Sequence, residues 1–302
     1  MERYTIGQFN ERFPDEDACL DSVLAMVYPN GITCRKCKQI TKHHRRAGRK
    51  QYGCDYCGTL VAPMAGTIFE KSTTPLKSWF YAMYLMSQTR CGISAKQLER
   101  ELGVTYKTAW RMFTQIRKLM AEDNGPLTGE VEVDETWVGG KLSNRAHVKH
   151  EDAYANKTAV IGAVSRGGKA TAKVIPNVKK SQLVPLVAQS VAKGATVFTD
   201  ELKSYTGLGK SGYLHERVNH KAKVYVSGNV HTNTIEGFWS LLKNGIRGAH
   251  HTVGAAYLQS YVDEYVFRYN HRDDAAPMFA TLKGRASAVR HGRYGSYAPI
   301  GE

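Results

Sequence analysis

The segment from Glu130 to Lys243 constrains the fold most, because it sets acidic side chains into stretches that otherwise favour buried strands and helices. In GEVEVDETWVGGK, which contains Asp134, apolar and acidic residues alternate with a period of two, typical of a half-buried strand. The run ATVFTD ends in Asp200, so a second carboxylate is expected at the carboxyl tip of another strand. Glu236 follows in HTNTIEGFWSLLKNGIRG, which has the apolar face of a helix.

One polar stripe runs along this predicted helix, with Thr232 or Asn233 as its cap. The stripe follows spacings of three, four and three residues through Asn233, Glu236, Ser240 and Lys243. Two aspartates on strands and a glutamate on a helix can hold two divalent cations about 3.5 to 4 Å apart. Such a pair polarises a phosphate and activates water or a sugar hydroxyl, and the oxygen donors favour magnesium over softer metals.

Further acids lie beside the two aspartates. The period of two places Glu132 on the strand face of Asp134, where it could support the site or serve as an alternative ligand. Glu135 falls on the opposite face and is not counted as a ligand, and Glu201 is expected to point away from Asp200.

Two CxxC pairs, CRKC and CDYC, lie sixteen residues apart, a spacing that predicts a zinc ribbon. The expected Zn²⁺ ligands are Cys34, Cys37, Cys54 and Cys57. Two complete pairs leave no vacancy for His43 or His44. The intervening loop is basic and contains Arg45 and Arg46, so contact with DNA phosphates is favoured over a merely solvated loop.

Helical patterns follow the second cysteine pair. STTPLKSWFYAMYLM offers Thr74 as a cap with Pro75 in the first helical position. Two further helices begin after Ser94, the start of a predicted capping box, and Thr105, and Gly103 makes the turn between them. Helix, glycine turn and helix form a helix-turn-helix pattern, with a plain three-helix bundle as the alternative. The exposed start of its last helix, where base edges would be read, comprises Tyr106, Lys107, Thr108 and Arg111.

Composition bears on the partner and the compartment. The 302 residues carry a net charge of +15, which favours an acidic polymer such as DNA as partner. No apolar run approaches about 20 residues, so a soluble cytoplasmic protein without a membrane partner is expected. Cys19 and Cys91, outside the two pairs, are expected as small buried apolar positions.

A polar segment, AEDNGPLTG, separates helical from strand patterns and predicts a domain boundary. After it we expect a long loop at 141–157 and a helix capped by Ser181. The expected domains are an N-terminal helix with zinc ribbon at 1–72, a helix-turn-helix domain at 73–122, a catalytic domain at 128–285 and a tail at 286–302.

Four stretches resemble the DDE transposases of bacterial insertion sequences, in the ISXO2-like group related to Merlin elements. They are EVEVDETWVGGK, VFTDELKSYTGL, VNHKAKVYVSGNVHTNTIEGFWSLLKNGIRG and YVDEYVFRYNHR. The resemblance covers most of the chain, including the cysteine pairs. It implies a multidomain α+β protein with an RNase H-like α/β core and a mixed sheet. The predicted order β, β, β, α, β, α, β, α agrees with such a core.

The resemblance also implies an activity. Terminal inverted repeats would be bound, and hydroxyl-driven cleavage and strand transfer would proceed with Mg²⁺ or Mn²⁺ and without a covalent protein intermediate. Lys243 would hold a terminal phosphate. Some members carry asparagine as the third acidic position; here Asn233 shares a helical face with Glu236, which we take as the ligand. Work on two ends implies a homodimer or higher oligomer on double-stranded DNA in a bacterial nucleoid.

Two other functions are compatible with parts of this sequence. A tyrosine recombinase would take its nucleophile from the tail RHGRYGSY, but that Gly- and Ser-containing segment offers no helical framework to fix it. A transcriptional regulator would use the ribbon and helix-turn-helix to bind DNA while its C-terminal domain only dimerises. Such a regulator would bind without magnesium-dependent nicking.

Overall fold

The computed structural model describes residues 4–89, 91–139, 157–218, 231–274 and 277–288. The chain divides into two compact units, residues 1–120 with 274–302 and residues 121–273. The finer division into ribbon, helix-turn-helix and catalytic domains stays a prediction. Within the described ranges, no helix has the length and apolar character that crossing a membrane requires.

Six helices build the first unit within the part of the chain that the structure describes. They are α1 (Ile6–Arg12), α2 (Glu16–Val27), α3 (Leu76–Gln88), α4 (Ala95–Leu102), α5 (Tyr106–Lys118) and α9 (Met278–Ala288). Aromatic rings fill the core between them. The ring of Phe279 in α9 has its centroid 5.9 Å from those of both Phe9 and Phe13. A helix near the end of the chain thus completes the core of the N-terminal unit.

The α4–α5 pair forms with the expected local signals. The hydroxyls of Ser94 and Thr105 accept the first-turn amides of Gln97 and Thr108, and Gly103 takes the left-handed conformation at the end of α4. Half of the predicted capping box at α4 is present, namely the hydrogen bond from the Gln97 amide to the Ser94 hydroxyl. The Gln97 side chain donates to Glu101.

The expected start of α3 is wrong. Pro75 is the N-cap and Thr74 does not cap the helix. Instead, the carboxylate of Glu16 accepts the amides of Leu76 and Lys77 at 2.9 and 3.2 Å. An ionised carboxylate suits the positive end of a helix, so a residue about 60 positions away supplies the cap. Cys91 is also exposed rather than buried, whereas Cys19 is buried as expected.

Short strands carry the cysteine pairs. They are β1 (Ile32–Thr33), β2 (Ile40–Thr41), β3 (His43–Arg45), β4 (Tyr52–Cys54) and β5 (Leu60–Val61). The first two form an antiparallel hairpin, and the other three form an antiparallel sheet in sequence order. The first cysteine pair therefore lies in the turn of a small hairpin, and the second begins at the end of β4 and continues into the turn before β5.

The second unit is a mixed five-stranded sheet flanked by helices. Its elements are β6 (Glu130–Gly139), β7 (Lys157–Ser165), β8 (Ala170–Ile175), α6 (Lys180–Ser190), β9 (Thr196–Thr199), β10 (Leu214–Arg217), α7 (Asn233–Gly245) and α8 (Ala255–Asn270). The strand order is β10-β9-β6-β7-β8. Strands β6, β7 and β8 pair antiparallel, whereas β9 and β10 run parallel to β6.

Apolar side chains cover both faces of this sheet. On one face, Val131 and Val133 lie in a core cluster with Leu183 of α6. On the other, Val160 lies in a cluster with Phe238 of α7 and with residues of α8. A strand covered on both faces leaves room for acids only near its ends or where partners neutralise them.

Three expectations for this unit need correction or qualification. No α-helix separates β9 from β10; two 3₁₀ turns, Lys203–Tyr205 and Gly209–Ser211, do so, since positive φ angles at Gly207 and Gly212 break a longer helix. Helix α6 begins at Lys180 after Lys179, so Ser181 is not its cap. The predicted loop at 141–157 lies outside the described residues up to 156, and its last residue begins β7.

Candidate metal centres

The four paired cysteines converge in the first unit. One sulfur from each lies within 4.8 Å of the others. The Sγ atoms of Cys34 and Cys57 are 3.5 Å apart, and those of Cys37 and Cys54 are 3.9 Å apart. A hydrogen bond with the Thr41 hydroxyl lowers the pKa of Cys54 to about 6, which favours the thiolate. Four cysteine sulfurs at these distances are a donor set that fits a structural zinc ion.

The two neighbouring histidines lie outside the group of four. The Nδ1 atom of His43 lies 2.9 Å from the carbonyl oxygen of Thr41, while its Nε2 is buried without a hydrogen-bond partner among the described residues. His44 Nε2 lies 3.0 Å from an Asp55 carboxylate oxygen. Within the described part of this unit, the group of ligand atoms that come within 4.8 Å of one another consists of the cysteine sulfurs alone.

Three carboxylates converge at one edge of the large sheet, from Asp134, Glu135 and Asp200. One oxygen from each lies within 4.8 Å of the others. The register brings the two aspartates together, because β6 and β9 run parallel and pair from Glu130 opposite Thr196. Four residues further along, the first strand reaches position 134 and the second reaches position 200. The predicted meeting of two strand-borne aspartates is thus present in the geometry.

Glu135 is the member that the alternation pattern left out. Strand β9 pairs with β6 only as far as Glu132 and ends at Thr199, so the flank of β6 beyond that point is open. Carboxylates from both faces of β6 can therefore approach Asp200. The buried hydroxyl of Tyr205 donates to Glu135 Oε2 at 2.7 Å and fixes its position. The available sequence signal was an acid directly after Asp134.

Burial sets the proton affinity of this cluster. It raises the pKa of Asp134 to about 6, and the charges of Asp200 and Glu236 act in the same direction. Burial likewise raises the pKa of Glu135 to about 7, opposed by the hydrogen bond from Tyr205. Carboxylates that repel one another and are largely shielded from water are stabilised most by a bound cation.

Helix α7 orients Asp134. The indole Nε1–H of Trp239 donates to Asp134 Oδ2 at 2.9 Å. Gly162 lies directly opposite Asp134 on β7, and a Cβ there would come within 2.6 Å of the Trp239 ring. The glycine therefore gives the indole the space to lie on the sheet and reach the carboxylate.

Glu236 and Asn233, the predicted third ligand and its neighbour, lie exposed at the start of α7. The hydroxyl of Thr232 donates to Glu236 Oε1 at 3.2 Å. Among the described residues, the group of carboxylates within 4.8 Å does not contain Glu236. Its charge nevertheless raises the pKa of Asp134, so the two lie within electrostatic range. Its assignment as ligand stays a prediction.

Lys243 lies two turns further along α7, half-buried in a groove of about 50 Å³. Arg247 and His251 line the same groove, beside Trp137 near the end of β6. Burial lowers the pKa of Lys243, and the charge of Asp134 opposes that shift. A cationic groove thus adjoins the acid cluster.

The predicted base-reading residues occupy the first turns of α5. Tyr106, Lys107 and Arg111 are exposed, and Thr108 is half-buried with its hydroxyl 3.1 Å from that of Thr105. The guanidinium of Arg111 donates to the Glu70 carbonyl at 3.4 Å. In the ribbon, Arg46 is exposed, whereas Arg45 donates to Asp17 at 2.6 Å. Their contact with DNA stays a prediction.

Comparison with known proteins gives two family matches. Residues 126–270 match the ISXO2-like transposase domain, and residues 14–59 match the transposase zinc-ribbon domain. The first range contains the acid cluster and the second contains all four paired cysteines.

Individual relatives agree with this assignment. An uncharacterized protein in the transposable element ISH50 of Halobacterium salinarum is 27% identical over 263 residues, covering 82% of this chain and 88% of that protein. An uncharacterized transposase-like protein of Haemophilus influenzae is 27% identical over 100 residues, covering 33% of this chain and 80% of that protein.

Among solved structures, a chain in the crystal structure of a pre-cleavage Mos1 transpososome matches 72% of this chain and 80% of that chain. The identity is 12% and the TM-score is 0.27, a value that carries no conclusion about fold. The two domain matches, in the order ribbon and then acid-bearing sheet, show what the chain is similar to: a transposase zinc-ribbon domain followed by an ISXO2-like transposase domain.

Proposed function

We propose that this protein cuts and joins DNA at the ends of an insertion sequence, using divalent cations held at the edge of the large sheet. The observation that carries the proposal is the convergence of Asp134, Glu135 and Asp200 within 4.8 Å inside the transposase domain. Their donor set fits hard cations such as Mg²⁺ or Mn²⁺ because it consists of oxygen alone. Cations held there activate water or a 3′ hydroxyl and stabilise charge on the phosphate.

The sheet topology supports an RNase H-like core. Three antiparallel strands, β6 to β8, are followed by two strands parallel to the first, in the order β10-β9-β6-β7-β8. This arrangement places the first strand in the centre and sets its carboxylate beside the tip of the fourth. Helices on both faces keep these strands buried and hold the acids at a fixed spacing.

The protein's own side chains then have separate tasks. Asp134 and Asp200 would hold the cations, with Glu135 or Glu236 as the third carboxylate. Trp239 fixes the position of Asp134 Oδ2 by a hydrogen bond. Lys243 and Arg247 would bind a DNA phosphate next to the acids, because the groove that they line adjoins the same end of β6.

The first unit would bind the DNA. The zinc ribbon with Arg46 would contact phosphates, and α4 with α5 would act as a helix-turn-helix that presents Tyr106, Lys107, Thr108 and Arg111 to base edges. The net charge of +15 supports a polyanionic partner. Action on two element ends would require at least a dimer on DNA.

A cleavage assay tests the proposal. The substrate is a labelled duplex carrying the terminal repeat that flanks the coding sequence, incubated with and without Mg²⁺. We expect magnesium-dependent nicking by the wild type, and retained binding without nicking by Asp134→Ala and Asp200→Ala. Glu201→Ala, next to Asp200, is the matched control and should nick normally. Equal nicking by all variants would remove the proposed active site, and DNA binding with no nicking by the wild type would favour the regulator.

A further inference from the structure

Glu132, the third residue of β6, is a carboxylate with no exposed surface. Burying a charge is costly unless partners compensate it, so its surroundings are informative. The guanidinium of Arg166, in the β7–β8 turn, donates from Nε to Glu132 Oε1 at 2.8 Å. The same guanidinium lies over the ring of Phe198 on β9, 4.2 Å from its centroid. The guanidinium that neutralises Glu132 thus links β6 to the β7–β8 turn and to β9.

The remaining partners of Glu132 belong to the start of α7. Its Oε2 accepts the backbone amides of Thr234 and Ile235 at 2.8 and 3.0 Å, and its Oε1 accepts the Thr234 hydroxyl at 3.0 Å. Arg166 also donates to the carbonyl oxygen of His231 at 2.9 Å. The Nδ1 atom of His231 lies 3.1 Å from Glu132 Oε1, although it is not aligned for a hydrogen bond.

These contacts replace an ordinary helix cap. The N-cap residue of α7 is Thr232, but its side chain makes no capping hydrogen bond. Its hydroxyl donates instead to Glu236. The first amides of α7 are therefore satisfied by a carboxylate on β6, which also suits the positive end of the helix.

We propose that Glu132 is a positioning residue for the acid cluster, because it anchors the start of α7 to the strand that carries Asp134. Glu132 and Asp134 lie two residues apart on one strand face, and both are bound by α7, the first through Thr234 and Ile235 and the second through Trp239. The strand and helix are thus held together at two points on either side of Glu236. The inference rests on the proposed function, because Glu132 has a positioning role only if the acid cluster binds cations.

The test uses the full-length protein labelled with 5-fluorotryptophan and Mn²⁺ alone as the probe. The chain has four tryptophans, so the ¹⁹F resonance of Trp239 can be assigned with Trp239→Phe. We expect Glu132→Gln to weaken Mn²⁺ binding by about 10- to 100-fold, as for residues that support metal ligands. The Trp239 resonance should shift in the same variant. The resonances of Trp79 and Trp110, in the first unit, should not.

Glu130→Gln is the matched control. Glu130 lies two residues before Glu132, and its Oε2 accepts a hydrogen bond of 3.1 Å from the Arg166 guanidinium. The amides of α7 donate to Glu132 instead. We expect it to leave both the Mn²⁺ affinity and the Trp239 resonance at wild-type values. If Glu132→Gln does not fold, Arg166→Lys takes its place. Arg166→Lys keeps the positive charge but loses the guanidinium geometry. It should change the Mn²⁺ affinity and the Trp239 resonance in the same direction as Glu132→Gln, but by a smaller amount.

Each outcome decides between the alternatives. Lower thermal stability with unchanged Mn²⁺ affinity and an unchanged Trp239 resonance would make Glu132 merely structural and would overturn the inference. The same losses in Glu130→Gln would overturn it as well. Wild-type protein whose Mn²⁺ binding is absent, or is unaffected by Asp134→Ala, would remove the proposed function and the inference together.

Discussion

The indole of Trp239 and the carboxylate of Asp134 are joined by a hydrogen bond of 2.9 Å that links α7 to the centre of the sheet. Trp239 is 4% exposed, and its ring lies over Gly162, which faces Asp134 across the β6–β7 pair. An apolar ring with a polar N–H suits this place, because it packs on the sheet and still donates to the acid. The orientation of the carboxylate thus depends on a glycine in the neighbouring strand.

Gly162→Ala should disturb the site without touching an acid. The new Cβ would come within 2.6 Å of the Trp239 ring, so the ring must shift away from Asp134. We expect a stability loss of about 1 to 3 kcal/mol from overpacking and at least a tenfold loss of nicking, as for groups that hold metal ligands, about 10- to 100-fold. Gly237→Ala on α7, where a Cβ meets nothing within 4 Å, should nick normally and gain about 0.5 to 1 kcal/mol. Normal nicking by Gly162→Ala would contradict this role of Trp239.

Removing one ligand should release zinc from the first unit. In Cys54→Ser we expect the zinc content to fall from one ion per chain to none and the ribbon to lose its folded signal, because small ribbons depend on their metal for stability. Cys91→Ser is the control, since that thiol is exposed and lies outside the cluster of four. Metal analysis of both purified variants checks the prediction, and full zinc occupancy in Cys54→Ser would contradict it.

Lys107→Ala and Arg111→Ala should each weaken DNA binding and lower its salt dependence. Each removes a cation that the proposed recognition helix would bring against the duplex, where it displaces a counterion, so the slope of log K against log salt should fall by about 1. Fluorescence anisotropy on the terminal-repeat duplex at several salt concentrations measures that slope. Lys118→Ala, exposed in the last turn of the same helix, should leave it unchanged. Equal slopes for all three variants would argue against α5 as the DNA-contacting helix.

Protons and cations should compete at the acid cluster. Burial raises the pKa of Asp134 to about 6 and that of Glu135 to about 7. The folded protein therefore binds more protons than the unfolded chain, so these groups favour folding below about pH 4 and lose that contribution as the pH rises through 6 and 7. Without divalent cations, we expect the melting temperature to fall more steeply between pH 5 and 8 in the wild type than in Asp134→Asn/Glu135→Gln.

Adding Mg²⁺ should offset that fall at pH 8 and have little effect at pH 5, because the cation binds the deprotonated oxygens. Melting curves at constant ionic strength, with and without Mg²⁺, provide the measurement. Parallel pH profiles for the wild type and the double variant would show that these two carboxyls do not carry the effect.

The sequence predicted those parts of the site that depend on local pattern. Both strands were readable, one from its alternating pattern around Asp134 and the other from an apolar run that ends in Asp200, and the cysteine spacing predicted that four thiols would come together. Glu135 was not predicted as a member of the site because a period of two places it on the other face of β6. It approaches Asp200 only because β9 ends early. Where β9 ends depends on its pairing with β6, which the sequence of one strand does not reveal.

Contacts between distant residues account for the other differences. Glu16 caps α3 from about 60 positions away, so a local cap at Thr74 was the wrong choice. Glu132 caps α7 from about 100 positions away and needs Arg166 to be buried at all. In both cases a carboxylate from another element outcompetes a nearby hydroxyl for backbone amides, because a charged acceptor binds them more strongly.

The central claim is that Asp134 and Asp200 hold the cations that cut DNA, and a change of metal preference tests it most directly. A thiolate binds Mg²⁺ poorly and accepts Mn²⁺, which is the less hard of the two cations. On the terminal-repeat duplex, Asp134→Cys should bind like the wild type, nick about 100-fold more slowly in Mg²⁺, and recover in Mn²⁺, while Glu201→Cys behaves like the wild type in both. Wild-type nicking by Asp134→Cys in Mg²⁺ would contradict the claim.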